Sequence, residues 1–323
     1  METVIRTREI IALQNIDNCG PATVRKICNY LIRHGRSING PQDLIDVFPY
    51  LRKEKVVSSR LDGFCREDAE SAFRASDRIL DSNERYGIQA VSIFDDRYPK
   101  ALKDTINEKG SADAPILIYY KGDIAAAGLP SISIIGTREP TEIGIQAGKY
   151  FGKAFAEKGF NIASGLAIGC DTSGHEGALD GKGVTTAFLA HGLDTVFPQQ
   201  NQDLAERIVG NGGVLISEYA VGTPVSKYSL VARDRLQAGI AKATIVIQTG
   251  ISGGTMHAAN TTLLAGKPLY VVKYADMTGE KTQGNLLLKE KGAQFITSSD
   301  VDRIAQTLSA GSYSHDLFKD TLF

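Results

Sequence analysis

The sequence predicts an α/β protein, a parallel sheet with helices on both faces, preceded by a small all-α domain. Two observations carry this. Between about residues 130 and 300, strand-like apolar runs alternate with helix-length segments, the pattern of right-handed strand–helix–strand units. Residues 1–85 read instead as short helices separated by turns.

Taken in order, "IIALQNIDNCGPATVRKICNYLIRHG" places a turn, Asp17 to Gly20, between two helical patterns, with Pro21 suited to a first helical turn. From 86 to about 124, "GIQAVSIF", "RYPKALKD" and "APILIYYKGD" form a connecting region dominated by strand signals, with Pro99 and Pro115 as punctuation. The strands of the main domain are then "SISIIG", "FNIAS", "VTTAFLA", "GVLISE", "ATIVIQ", "PLYVVK" and "AQFIT". These readings divide the chain into a helical domain over 1–85, an α/β domain over 86–300 and a short C-terminal tail over 301–323.

Bulk numbers narrow the function classes. The 323 residues carry a formal net charge of −1, so any polyanion site must be a local patch rather than a global field. The N-terminus METVIRTREI lacks the apolar core of a signal peptide, and no apolar run reaches membrane-spanning length. A cytoplasmic protein without a membrane partner is the expectation. Cys19, Cys28, Cys65 and Cys170 have no Cys-x-x-Cys spacing, so reduced thiols are expected rather than zinc or disulfides.

In open parallel sheets, ligands bind beyond the carboxyl ends of the strands. There this sequence places Gly136-Thr137-Arg138, then Ser164, Gly165 and Gly169 within "SGLAIGCD", then His191-Gly192, Ser217-Glu218, "TGISGGT" with Ser252, Gly253, Gly254 and Thr255, and Lys273. Backbone N–H groups left bare by glycine, aimed from helix N-termini, bind anions; tight strand-to-helix turns are the plainer use of the same glycines. In "PVSKYSLVARDRLQAGIAKA", Arg233 and Arg235 flank Asp234 near a helix start, with Lys227 upstream. They face either an external anion or the internal carboxylates Glu218 and Asp234. Asp171 reads as a helix N-cap, His175 as a structural hydrogen bonder and Cys170 as a small buried residue. His191 and His257 could each touch a ligand or not. No nucleophile–base arrangement is readable from spacing, and no cofactor or metal is expected.

Across some two hundred residues from Pro99, the chain resembles the DNA-processing protein A (DprA/Smf) family, within the SLOG group of Rossmann-like folds. The matching pieces include "YPKAL", "PILIYYKGD", "IIGTREPTEIG", "ASGLAIGCDTSGHEGAL", "AHGLDTVFPQQNQDL", "GGVLISEYAVGTP", "ARDRLQAGIAKATIVIQT", "SGGTMHAA" and "GNLLLKEKGAQFI", in family order. "IALQNIDNCGPATVRKI" is similar to that family's helix–hairpin–helix or SAM-like region, with Asn18 in place of a glycine; Asn tolerates the left-handed backbone such a hairpin needs. The resemblance implies a non-catalytic single-stranded DNA-binding protein that dimerises through its Rossmann-like domain, protects incoming strands and loads a RecA-type recombinase. It also implies that Gly136, Thr137 and Arg138 contact DNA phosphate, and that Arg233 and Arg235 stand for the arginines of an Arg-Asn-Arg motif.

Several positions depart from the family pattern. Ile168 stands where the family has arginine, Asp234 where it has asparagine, and Leu230-Val231 where it has Phe-Pro. Each loss of a phosphate contact lowers single-strand affinity and its salt slope by about 0.7. A second reading is therefore a SLOG-type sensor of a nucleotide-derived ligand, in defence against foreign DNA. A third, a phosphoribohydrolase, requires a glutamate where this chain has Ala258, unless Glu218 substitutes. Tyr119, Tyr120 and Tyr228 could stack on bases or serve the core.

Overall fold

A computed structural model describes residues 5–310. The chain forms two compact units: one takes it through Tyr98 and again over Ile116–Tyr119, the other takes Pro99–Pro115 and the chain from Tyr120 onward.

In the first unit, helices α1 (Thr7–Gln14), α2 (Pro21–Arg33), α3 (Pro41–Lys53) and α4 (Arg66–Arg85) are joined by short turns. Helix α2 buries Val24, Ile27, Cys28 and Leu31, and α3 buries Leu44, Val47, Phe48 and Leu51; both follow the i, i+3, i+4, i+7 stripe of an amphipathic helix. Pro21 occupies the first turn of α2, and Asn18 adopts φ 62°, the left-handed conformation expected of the hairpin. Arg8 pairs with Asp77 at 2.6 Å, tying α1 to α4. Strand β1 (Gln89–Ser92) and the first residues of β2 (Leu117–Gly122) group with these helices, and the Ile93 N–H donates to the Ile116 carbonyl at 2.9 Å. The helical unit therefore extends past residue 85. "RYPKALKD", read from sequence among strand signals, instead carries a 3₁₀ turn over Lys100–Asp104.

The second unit contains β3 (Ser131–Ile135), α5 (Glu142–Ala156), β4 (Asn161–Ser164), α6 (Cys170–Asp180), β5 (Thr185–Leu189), α7 (Gln202–Gly210), β6 (Val214–Ser217), α8 (Lys227–Ile240), β7 (Ala241–Val246), α9 (Gly254–Leu264), β8 (Leu269–Val272), α10 (Glu280–Glu290), β9 (Gln294–Ile296) and α11 (Val301–Ser309). Every strand-like run named from the sequence for the main domain is a strand. Their order, β6-β5-β4-β3-β7-β8-β9, is parallel throughout. All residues of β3 through β6 are buried, which is why these strands read as continuous rather than alternating apolar runs.

The pleat divides the core. Ile132 and Ile134 join Phe151, Phe155, Ile245, Ile304 and Leu308 in one cluster, whereas Ile135 joins Val246, Met256 and Leu288 in another. Helices α5 and α6 approach closely because they meet through glycine: a Cβ on Gly177 would collide with the Lys149 carbonyl, and one on Gly152 with the Gly174 carbonyl. The span expected to be a tail opens with α11, whose Val301, Ile304, Ala305 and Leu308 are buried; residues 311–323 lie outside the described residues.

The strand order sets the site. From β3 the chain winds outward through β4, β5 and β6, then returns across the sheet to place β7 on the other side of β3. The carboxyl ends of β3 and β7 are thus a topological switch point, where loops diverge and leave a crevice.

Candidate functional site

A cleft of about 450 Å³ opens at that switch point. The turn after β3 supplies Gly136, Thr137 and Arg138; the loop after β7 and the start of α9 supply Ser252, Gly253, Gly254 and Thr255; α8 supplies Lys227 and Arg233. Nine of the residues singled out from sequence therefore share one cavity. Gly165 lines an adjoining cavity of about 240 Å³, to which Arg138 and Arg233 also contribute. Ser164, Gly169, Arg235 and Lys273 line neither. The Ser164 hydroxyl donates to the Ile134 carbonyl at 2.6 Å. Gly169, at φ 87°, is the N-cap of α6, and a side chain there would meet the Thr137 and Arg138 backbone. Lys273 is exposed after β8.

The two arginines of α8 are not free. Arg235 donates from both terminal nitrogens to Glu218, at 2.6 and 2.8 Å, and from Nε to Asp113 at 2.6 Å. Arg233 is 5% exposed. Its Nε donates to Asp234 at 3.1 Å and its Nη1 to the carbonyls of Gly165, at 2.6 Å, and Phe188. The internal carboxylates weighed from sequence as partners hold both guanidinium groups. A cation two residues from another on a helix points about 200° away from it, so only one of the pair can face the cleft.

The bare amides are likewise partly occupied. Asp171 accepts from the N–H groups of Gly165 at 3.1 Å and Ala167 at 3.4 Å, so the chain's own carboxylate sits in the turn after β4. It is not an N-cap: it lies in the first turn of α6, whose cap is Gly169. The Thr137 N–H donates to the Gln248 carbonyl at 2.7 Å. What remains is the start of α9. No side chain caps it, and the first N–H groups of a helix have no intrahelical acceptor; the helix dipole adds positive potential there.

Two cations stand open beside it. Arg138 and Lys227 are exposed and form no ion pair with another described residue. The whole lining balances, with Arg138, Lys227 and Arg233 against Glu139, Asp171 and Asp234, so the local patch that a polyanion would need is a nearly neutral cleft with cations at its mouth. Burial pushes the Asp171 carboxyl up to about 6, against the pull of Arg233 and with help from Asp234. Burial also raises Asp234, opposed by Arg233 and, more weakly, by His257 and Arg138. Arg138 thus already acts on the cleft's buried charge.

The remaining candidates find structural roles. His175 is buried, its Nδ1 at 2.6 Å from the Thr185 hydroxyl, and burial pushes its pKa down to about 3. Burial drives the Cys170 thiol up to about 12, far from reactivity. Tyr119 and Tyr120 are buried, Tyr228 is exposed next to Lys227, and His257 pairs with Glu108 at 2.6 Å. Sequence reasoning missed the polar residues beneath the loops. Gln248 fastens the N-cap Thr141 of α5, accepting its N–H at 2.9 Å. Asn201 donates to the Leu166 carbonyl at 2.8 Å, and Asn285 accepts from the Thr249 N–H at 3.0 Å. Each is an amide in or beside a matching motif, which is the only signal that could have marked it.

Comparison with known proteins agrees with this architecture. A family model described as DNA recombination-mediator protein A matches residues 89–309. The DNA processing protein DprA of Streptococcus pneumoniae is 30% identical over 237 residues, covering 72% of this chain and 80% of that protein. Protein Smf of Synechocystis is 29% identical, but the match spans only 55% of its length. Among solved structures, S. pneumoniae DprA covers 94% of this chain with a TM-score of 0.74 at 23% identity, a likeness of fold. The DNA processing protein A of Helicobacter pylori, described for its single-stranded DNA binding mode, covers 71% with a TM-score of 0.60 at 28% identity.

Proposed function

This chain belongs to the DNA recombination-mediator protein A family, and on that premise we propose that it grips single-stranded DNA at the switch-point cleft without cleaving it. The observation that carries the reading is Arg138, an exposed cation without an ion-pair partner among the described residues, at the mouth of a cleft ended by an uncapped helix N-terminus. A backbone phosphate between Arg138 and the first amides of α9 meets one full charge and several oriented donors. Lys227 extends the track by one further phosphate. The similarity to the H. pylori protein supports the choice of strand over other polyanions.

Among the described residues, the side chains weighed for chemistry on the bound strand do not support it. Ala258 lines the cleft where a phosphoribohydrolase needs its glutamate, and Glu218, the substitute, has both oxygens engaged by Arg235. A gripping role fits the finer function of the reading: protecting strands and handing them, as a homodimer, to a RecA-type recombinase. The near-neutral lining favours one other occupant, a nucleotide-derived small ligand carrying fewer charges than a strand. Fluorescence anisotropy with a labelled thymidylate 20-mer, alongside native mass spectrometry of the purified protein, separates the two. Strand binding with no retained nucleotide supports the proposal; a tightly held nucleotide with no strand binding overturns it.

A further inference from the structure

The switch-point cleft changes character with depth. Its mouth carries the exposed Arg138 and Lys227, whereas Asp234 and Gln237, 8% and 2% exposed, line its base. Asp234 Oδ1 accepts from Arg233 Nε and from Gln237 Nε2, each at 3.1 Å. Its Oδ2 lies beside the first residue of α9: a Cβ placed on Gly254 would come within 3.1 Å of it. The chain's own carboxylate therefore stands against the helix N-terminus that draws an anion into the cleft.

Gln237 supplies the second observation. Its Nε2 is committed to Asp234, and its Oε1 is buried without a hydrogen-bond partner among the described residues. Arg233 gives Nε to the Asp234 carboxylate and Nη1 to the carbonyls of Gly165 and Phe188, so it neutralises Asp234 and leaves little positive potential over. Asp171 adds a second carboxyl, close enough for the charge of Asp234 to act on it. The base of the cleft thus presents oxygen lone pairs, and its open cations are at the mouth. Such a cleft weighs how densely a ligand's charge is packed. A phosphodiester carries one negative charge, which Arg138 and the α9 amides meet at the mouth while the next phosphates of the strand run on beyond it. A nucleoside triphosphate crowds several negative charges into the same space, and those beyond the first face Asp234. Two like charges about 6 Å apart, at an effective dielectric constant of about 20, repel strongly enough to weaken binding about a hundred-fold.

We infer that Asp234 is a specificity-determining residue, a charge filter that admits the singly charged phosphodiester of a strand and turns away the multiply charged phosphates of free nucleotides. The inference rests on the strand-binding reading above and adds to it what the cleft refuses. It also gives the nearly neutral lining a use. A strongly basic cleft concentrates any small polyanion, and the nucleoside triphosphates present in every cell would compete with the strand for it.

The test is a competition on the whole chain, with a labelled thymidylate 20-mer bound in the presence of a chelator and thymidine triphosphate added as competitor. It is run at about pH 8 to keep the Asp234 carboxyl ionised against the lift of burial, which Arg233 opposes. Asp234→Asn preserves the size of the side chain and an oxygen for the Arg233 and Gln237 donors, and removes the charge. Because the repulsion scales with the charge held near the residue, the variant should lower the inhibition constant of the triphosphate about ten-fold or more and tighten the 20-mer about three-fold or less. Asp234→Ser, neutral and smaller, should move the ratio the same way if the asparagine variant folds poorly. A ratio of two affinities on one protein does not move with stability alone. Failure of wild type to bind the 20-mer overturns the strand reading and the filter together. Strand binding with equal gains for the 20-mer and the triphosphate in both variants, or with no gain for the triphosphate in either, overturns the filter alone.

Discussion

Arg235 and Glu218 meet as a two-pronged pair, with Nη1 and Nη2 at 2.6 and 2.8 Å from the two carboxylate oxygens, and Asp113 closes the third side at 2.6 Å. The arginine is on α8 and Glu218 follows β6, so the pair fastens the helix to the sheet edge rather than presenting charge to a ligand. Arg235→Ala would leave Glu218 half-buried and unpaired. Breaking such a pair costs about 3 kcal/mol, roughly 6–12 °C in melting temperature for a unit of this size. Strand affinity measured well below that temperature should match wild type. Replacing both partners, Arg235→Met with Glu218→Met, should recover much of the loss. A normal melting temperature for Arg235→Ala would contradict the structural role.

Ile168 sits at the rim of the adjoining cavity, 41% exposed, where the family pattern has an arginine. Ile168→Arg should add one phosphate contact. Such a contact steepens the salt slope by about 0.7 and strengthens binding roughly four-fold at physiological salt. The measurement is a thymidylate titration across salt concentrations, and an unchanged slope would show that the rim lies off the strand's path.

Asp171 connects pH to binding. Its folded carboxyl titrates at about 6, from an ordinary 3.8, because it is buried. A raised folded value means this group's contribution to stability is complete below about 3.8 and is lost as pH rises through about 6. Protonation also removes a negative charge from the cleft lining, so strand affinity should rise as pH falls from 7 to 5.5. Asp171→Asn imitates the protonated form and keeps an oxygen for the Gly165 and Ala167 amides. It should bind more tightly at pH 7 and lose most of the pH dependence. A pH profile identical to wild type would exclude Asp171 as the titrating group.

Legibility from sequence followed the range of the interaction. Strands β3 to β8 were readable because burial on both faces writes a nearly uninterrupted apolar run, and the Asn18 hairpin because a left-handed residue is a local requirement. The collection of Gly136, Arg138, Gly253 and Gly254 at one sheet edge followed from strand polarity alone. What resisted was the partnering of charges. Asp113 stands 122 positions from Arg235, and Arg233 spends its donors on the carbonyls of Gly165 and Phe188, which every residue possesses. Arg233 and Arg235, two positions apart, read equally as ligand contacts or as partners of internal carboxylates, and helical geometry sends one into the crevice wall and the other to Glu218. The carboxylate of Asp171 in the turn after β4 was hidden for the same reason: its acceptors' partners are backbone groups with no signature in sequence.

The central claim is that the free cations at the mouth of the switch-point cleft, not the paired arginines of α8, hold the phosphates. Thymidylate 20-mer affinity measured against salt for wild type and Arg138→Ala/Lys227→Ala tests it most directly. With two contacts removed, the log–log slope should become shallower by about 1.4, with the melting temperature unchanged because both side chains are exposed. A double variant that matches wild type in affinity and slope would contradict the account.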